Sequence, residues 1–173
     1  MIMKNNKISR LGFLLAVSNM ERARNFYVAV MEQKIVSDDG SHNVAFESGI
    51  CLQYDYIEMI EGGELFAARP TGVKLEMKPK SNSYQIGLEV EDFDYWVAKI
   101  KSVEGIEIIH DVTEYLWGQR VIRFYDYDGH IIEIGESLES VAKRFISQGL
   151  TIEEVVERFG FSLEFVQGLL SNE

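Results

Sequence analysis

Cysteine, proline, long apolar runs and positive charge are all scarce in this chain, and each scarcity removes a class of protein. The single cysteine, Cys51, excludes an intrachain disulfide and any site built from several thiolates, so a reducing, cytoplasmic setting is expected. The two prolines, Pro70 and Pro79, do not form a rigid linker, and no segment is biased enough to read as disordered. No apolar run approaches the roughly 18 residues that span a bilayer. The first seven residues lack the apolar stretch of a signal peptide. Lys and Arg number 17 against 28 Asp and Glu, a net charge of −11. That balance disfavours nucleic acid and anionic membrane, which both need a positive patch. What is present is apolar: with 46% hydrophobic residues, ten of them Phe, the chain can bury a sizeable core.

The apolar residues repeat. Leu14-Leu15-Ala16-Val17-Ser18-Asn19-Met20 matches Gly87-Leu88-Glu89-Val90-Glu91-Asp92-Phe93, 73 positions later. The match continues into a helical stripe, Met20, Ala23, Phe26, Tyr27, Val30 and Met31 in the first copy and Phe93, Trp96, Val97, Ile100 and Val103 in the second. Ser18 with Glu21 predicts a capping box for the first helix, and Asp92 an N-cap for the second.

A short β-branched run follows each helix, Lys34-Ile35-Val36 or Ile106-Glu107-Ile108-Ile109, and then a hairpin. The first hairpin turns at Ser48-Gly49 between residues 42–47 and 50–54; the second turns at Asp128-Gly129 between 119–125 and 130–134. The turn glycines are 80 apart, so the second copy carries about seven extra residues, which the pattern places in a loop from Asp111 to Gly118. The fold expected is α+β: two βαβββ modules forming a curved mixed sheet around a cavity, plus C-terminal helices. The modules occupy about 7–56 and 83–136, with a linker at 57–82. In that linker Glu58 to Ala68 predicts a helix interrupted by Gly62-Gly63, and Val73 to Met77 alternates like an edge strand.

The stretch from Trp117-Gly118-Gln119-Arg120 through Phe124-Tyr125-Asp126-Tyr127-Asp128-Gly129-His130-Ile131-Ile132-Glu133 resembles the ending of proteins in the glyoxalase/bleomycin-resistance/extradiol dioxygenase (vicinal oxygen chelate) superfamily, with Tyr127 where proline is usual. The resemblance covers about residues 7 to 136. It implies a small-molecule site between the modules and, in the enzymes, a divalent metal held by one side chain from the first and last strand of each module. Carried onto this chain those positions are Gly12, Gln53, Gln85 and Glu133. One carboxylate and two amides make a weak site, so no tightly bound metal is expected, with Gln53, Gln85 and Glu133 as the weak candidates.

Two small-molecule functions remain open at this stage, beside a third reading as an interaction protein whose C-terminal tail is the active surface. One is a binder of a small apolar or aromatic molecule through Gln53, Gln85, Tyr115, Trp117, Arg120 and Arg123. The other is a glyoxalase-like lyase or isomerase with a weak divalent metal and Glu133 as catalytic base. A flat Trp117 suits stacking, and an arginine suits an anion, but Arg120 and Arg123 have opposite strand parity and cannot share a face. His130 is expected to cap the hairpin turn, His42 to lie at the surface, and Trp96 to face the core.

Residues 137–173 change to helical spacing. Val141, Ala142, Phe145 and Ile146 form one stripe; Thr151 with Glu154 caps a second helix; Ser162 caps a third after Gly160. The last pair has helix-turn-helix spacing, yet Ser162 to Leu170 contains no Lys or Arg, and the tail has three basic residues against six glutamates. DNA binding is therefore rejected in favour of a tail that packs on the sheet or joins two copies into a homodimer.

Overall fold

A computed structural model describes residues 12–66 and 69–171. The chain forms two compact units, Met1–Pro79 and Lys80–Glu173. In the first, β1 (Phe13–Ala16) leads through α1 (Met20–Asn25) and a π-helical turn (Phe26–Val30) to β2 (Ile35–Asp38), β3 (Asn43–Phe46) and β4 (Ile50–Gln53), then α2 (Tyr56–Glu61). The sheet order is β1-β4-β3-β2, with β1 parallel to β4 and the other pairs antiparallel. The parallel pair requires a crossover, and α1 with its π turn supplies it. Leu15, Val44, Phe46, Ile50 and Leu52 are buried, as are Ala23, Phe26, Tyr27 and Met31 from the helical segment.

The second unit repeats this order. β5 (Ser81–Val90), α3 (Phe93–Ser102), β6 (Glu107–Glu114), β7 (Arg120–Tyr125) and β8 (His130–Glu136) form a sheet β5-β8-β7-β6, again with one parallel pair. Ile86, Ile122, Phe124, Ile132 and Ile134 are buried together with Phe93 and Ile100 of α3. The tail follows as α4 (Leu138–Ser147), α5 (Ile152–Phe159) and α6 (Leu163–Ser171). Val141, Ala142, Phe145, Val155, Phe159 and Val166 make its own small core. The expected caps are in place at Asp92, Thr151 with Glu154, and Ser162. Among the described residues no helix is long and apolar enough to cross a membrane.

Several local expectations are corrected. The cap of α1 is Asn19, whose side chain accepts from the Arg22 amide at 2.9 Å; Ser18 stands one residue too early and its hydroxyl meets the Arg22 guanidinium instead. The extra residues of the second copy are not a loop. They extend β6 through Glu114 by way of two bulges, leaving only residues 115–118 as a turn. Val73 to Met77 is not a strand, because its backbone is diverted: the Leu75 amide donates to Glu61 Oε1 at 2.8 Å, and Lys74 pairs with the same carboxylate. The linker helix starts earlier than predicted, at Tyr56, and stops at Gly62, where φ is +83° and a Cβ would lie 2.3 Å from the Arg69 carbonyl oxygen. Its predicted end at Ala68 lies outside the described residues.

Candidate functional site

Register builds a polar row across the face of the second sheet opposite α3. Arg123 of β7 lies opposite Glu133 of β8 and opposite His110 of β6, while Gly87 of β5 lies opposite Glu133. Because side chains alternate along a strand, Gln85 projects on the same face as Gly87, one step along. A Cβ on Gly87 would meet Glu133 Oε1 at 3.8 Å, an ordinary van der Waals contact, so Gly87 borders the carboxylate directly. Across this row Arg123 forms an ion pair with Glu133, donates from Nε to Gln85 Oε1 at 2.9 Å, and donates to the Tyr115 hydroxyl at 2.5 Å. Gln85 Nε2 donates to Glu133 Oε2 at 3.3 Å. His110 Nε2 sits 3.0 Å from an Arg123 nitrogen that can only donate, and His110 Nδ1 sits 2.7 Å from the Asp111 carbonyl, which can only accept. Those partners assign a neutral imidazole with its proton on Nδ1.

An aromatic turn closes one end of the row. Tyr115 and Trp117 stack with centroids 4.4 Å apart and planes 21° from parallel. The turn is held by the Gly118 amide on the Tyr115 carbonyl at 2.8 Å and by the Tyr115 amide on the Gln119 carbonyl at 2.9 Å. Trp117 Nε1 donates to Gln119 Oε1 at 3.2 Å, and Gln119 Nε2 donates to the Glu136 carbonyl at 3.0 Å. Trp117 stays partly open to solvent, with 37% of its surface exposed.

Residues 11–139 match the glyoxalase-like domain family. The chain belongs to that family. Its fold is that of the vicinal oxygen chelate superfamily, and solved structures agree. A protein of unknown function from Agrobacterium tumefaciens is 29% identical, with a TM-score of 0.63 over 76% of this chain and 96% of its own. A lactoylglutathione lyase from Agrobacterium tumefaciens is 18% identical, with a TM-score of 0.55 over 75% of this chain and 95% of that one. The fosfomycin resistance protein FosX from Listeria monocytogenes is 19% identical, with a TM-score of 0.54 over 78% and 98%. The last two similarities concern the fold alone. No curated protein matches the sequence.

The superfamily's divalent ion does not fit the residues of this glyoxalase-like chain. Gly12 offers no side chain. Sheet pairing adds a further mismatch: Ala16 lies opposite Gln53 whereas Gly87 lies opposite Glu133, so the first-unit counterpart of Gln85 is Leu14, which is apolar. Gln53 is 4% exposed and committed, its Oε1 accepting from Asn43 Nδ2 at 3.0 Å and its Nε2 donating to the Tyr54 carbonyl at 2.8 Å. Glu133 faces the positive charge of Arg123. A dication needs basic or anionic donors free to replace its water. Among the described residues no group of three or more His, Cys, Asp or Glu is placed to hold a metal ion.

The remaining candidates divide by face. Arg120 points to the helix-covered side, 4.8 Å from the Phe93 ring, and pairs with Glu136 at 3.0 Å and Asp94 at 3.0 Å, away from the Arg123 row. His130 is buried and Asp126 caps the turn, receiving the His130 amide and facing its ring. His42 is half-buried and pairs with Asp55. Trp96 is half-buried beneath the Lys99 ammonium. Two residues of importance escaped the sequence reading. Asn43 stands 80 before Arg123, the hairpin offset, so the repeat itself contained the signal. Glu136 reads as one more acid at a strand end, and nothing local announced that it is buried between two arginines.

Proposed function

We propose that this glyoxalase-like protein binds a small planar molecule on the face of its second sheet opposite α3, without a tightly held metal. The observation that supports the reading is the row His110–Arg123–Glu133–Gln85 ending at the stacked Tyr115–Trp117 pair. Such a surface offers a flat apolar contact beside fixed polar groups, which is how small-molecule sites combine affinity with orientation. Because the Tyr115 hydroxyl oxygen accepts from Arg123, its own O–H is directed elsewhere and suits an acceptor on the ligand. The lyase or isomerase reading is weaker, since Glu133 must leave Arg123 and Gln85 before it can take a proton from a substrate.

Two measurements test this. In a Trp96→Phe background, Trp117 reports on its turn alone; titrating planar aromatic carboxylates and neutral aromatics should change its emission, and Tyr115→Phe should weaken the response. A panel that leaves the emission unchanged while another method detects its binding overturns the assignment. Calorimetry with Zn²⁺, Ni²⁺ and Mn²⁺ should show no stoichiometric site tighter than about 10 μM, or roughly 7 kcal/mol. A tighter site that is lost in Glu133→Gln restores the metalloenzyme.

A further inference from the structure

The tail is joined to the aromatic turn by contacts that a purely stabilising appendage does not need. Gly118, the last residue of the turn, has φ +90°, and a Cβ on it would fall 2.1 Å from the end of the Phe145 ring of α4. The ring therefore lies flush against the backbone of the turn. From the adjacent position of α4, Arg144 donates to the Gly118 carbonyl at 2.5 Å. The same guanidinium grips the buried Glu136 carboxylate through both oxygens, at 2.9 and 3.2 Å, and Arg120 grips it from the sheet at 3.0 and 3.1 Å. Two planar forks on one carboxylate fix the Arg144 side chain in direction as well as place. A second line reaches Trp117 itself, from its indole N–H through the Gln119 amide to the Glu136 carbonyl.

We infer that Arg144 and Phe145 of α4 are positioning residues for the Tyr115–Trp117 pair, so that the tail sets the wall of the ligand face. Phe145 is in turn held in the tail core against Phe159, with ring centroids 6.1 Å apart. The importance of this for ligand binding rests on the function proposed above, but the positioning itself is read without any ligand.

The experiment uses the full chain carrying Trp96→Phe. Near-ultraviolet circular dichroism reads the stacked Tyr115–Trp117 pair, and acrylamide quenching reads the exposure of Trp117. Arg144→Ala should reduce the aromatic dichroism, shift the emission to the red and increase quenching; Arg144→Lys, which keeps the charge but not the fork, should restore only part of the signal. Thr151→Ala, which weakens α5 at its cap, is the control for lost stability: below its melting transition it should leave all three signals unchanged. Overturning results are an Arg144→Ala protein whose spectra match the parent, or spectra that change equally in Thr151→Ala. If Arg144→Ala aggregates, Phe145→Leu, which withdraws the ring from the Gly118 backbone and leaves the turn's own sequence intact, should lose the same signals, and unchanged spectra would overturn the inference. Failure of every aromatic ligand to bind, with these spectral changes intact, removes the proposed function and leaves the positioning standing.

Discussion

The two units of this protein share one topology and differ in the chemistry of one cross-strand pair. In the first, Asn43 lies opposite Gln53, a neutral hydrogen-bonded pair with Gln53 buried. In the second the equivalent positions hold Arg123 and Glu133, an ion pair whose side chains keep 22% and 16% of their surface exposed. The difference follows the cost of desolvation. Amides satisfied by hydrogen bonds tolerate burial, whereas charges stay where some solvent reaches them unless they are fully surrounded by partners. Repetition of the backbone fixes where a functional pair stands, and burial decides which side chains can stand there. Polar chemistry thereby concentrates in the second unit, which is also the one that carries the tail.

The largest effect is expected at Glu136, which has no counterpart in the first unit. Burial alone raises its pKa, but hydrogen bonds from Arg120 and then Arg144 outweigh that and hold it below the ordinary 4.5. Glu136→Gln leaves two guanidiniums facing an amide and should cost about 3 kcal/mol in denaturant unfolding, as loss of one member of a buried pair does. A carboxylate with a depressed folded pKa adds stability above its unfolded value and loses it as pH falls through the folded one. The parent should therefore lose melting temperature below about pH 4.5 more steeply than Glu136→Gln. Equal acid sensitivity would mean that the cluster contributes little to folding.

Next in size is the neutral pair. Gln53→Ala removes a buried side chain and one of the Asn43 partners, although Asn43 Nδ2 keeps the Leu52 carbonyl at 3.2 Å. The expected loss is about 2 kcal/mol. It should not change in 1 M salt, because no charge is involved. The ion pair should behave oppositely: a double-mutant cycle of Arg123→Ala and Glu133→Ala should give a coupling near 1 kcal/mol at low salt, reduced in 1 M NaCl. Were the two responses to salt alike, the contrast between the units would be one of sequence only.

Much of this was legible in the sequence because the relevant signals are periodic. The 73-residue offset located both crossover helices, and the turn glycines Gly49 and Gly129 located both hairpins. Strand parity separated Arg120 from Arg123 correctly, and that separation puts Arg123 in the row and Arg120 against α3. What periodicity cannot show is which partner a polar group finds. The extension of β6 through Glu114 depends on bulges that interrupt alternation, and Val73 to Met77 alternates without pairing because Glu61 captures its backbone. The commitment of Glu133 to Arg123, and of Glu136 to two arginines, depends on tertiary pairing between strands and a helix that no local window contains.

The smallest predicted effect tests whether the two units begin their helices by one device. Asn19 and Asp92 are 73 apart, and each accepts the backbone amide three residues on, from Arg22 at 2.9 Å and from Tyr95 at 3.0 Å. Each satisfies one of the otherwise unpaired first-turn N–H groups, so Asn19→Ala and Asp92→Ala should each cost about 1 kcal/mol. Their salt dependence should differ, since the Asp92 carboxylate also interacts with the positive end of the helix dipole and the Asn19 amide brings no charge. Ser18→Ala should stay within about 0.5 kcal/mol, because its hydroxyl accepts from the exposed Arg22 guanidinium and the backbone cap is made by Asn19. Chemical denaturation of the three variants decides it: a Ser18→Ala loss equal to that of Asn19→Ala would return the cap to Ser18 and break the equivalence of the two helix starts.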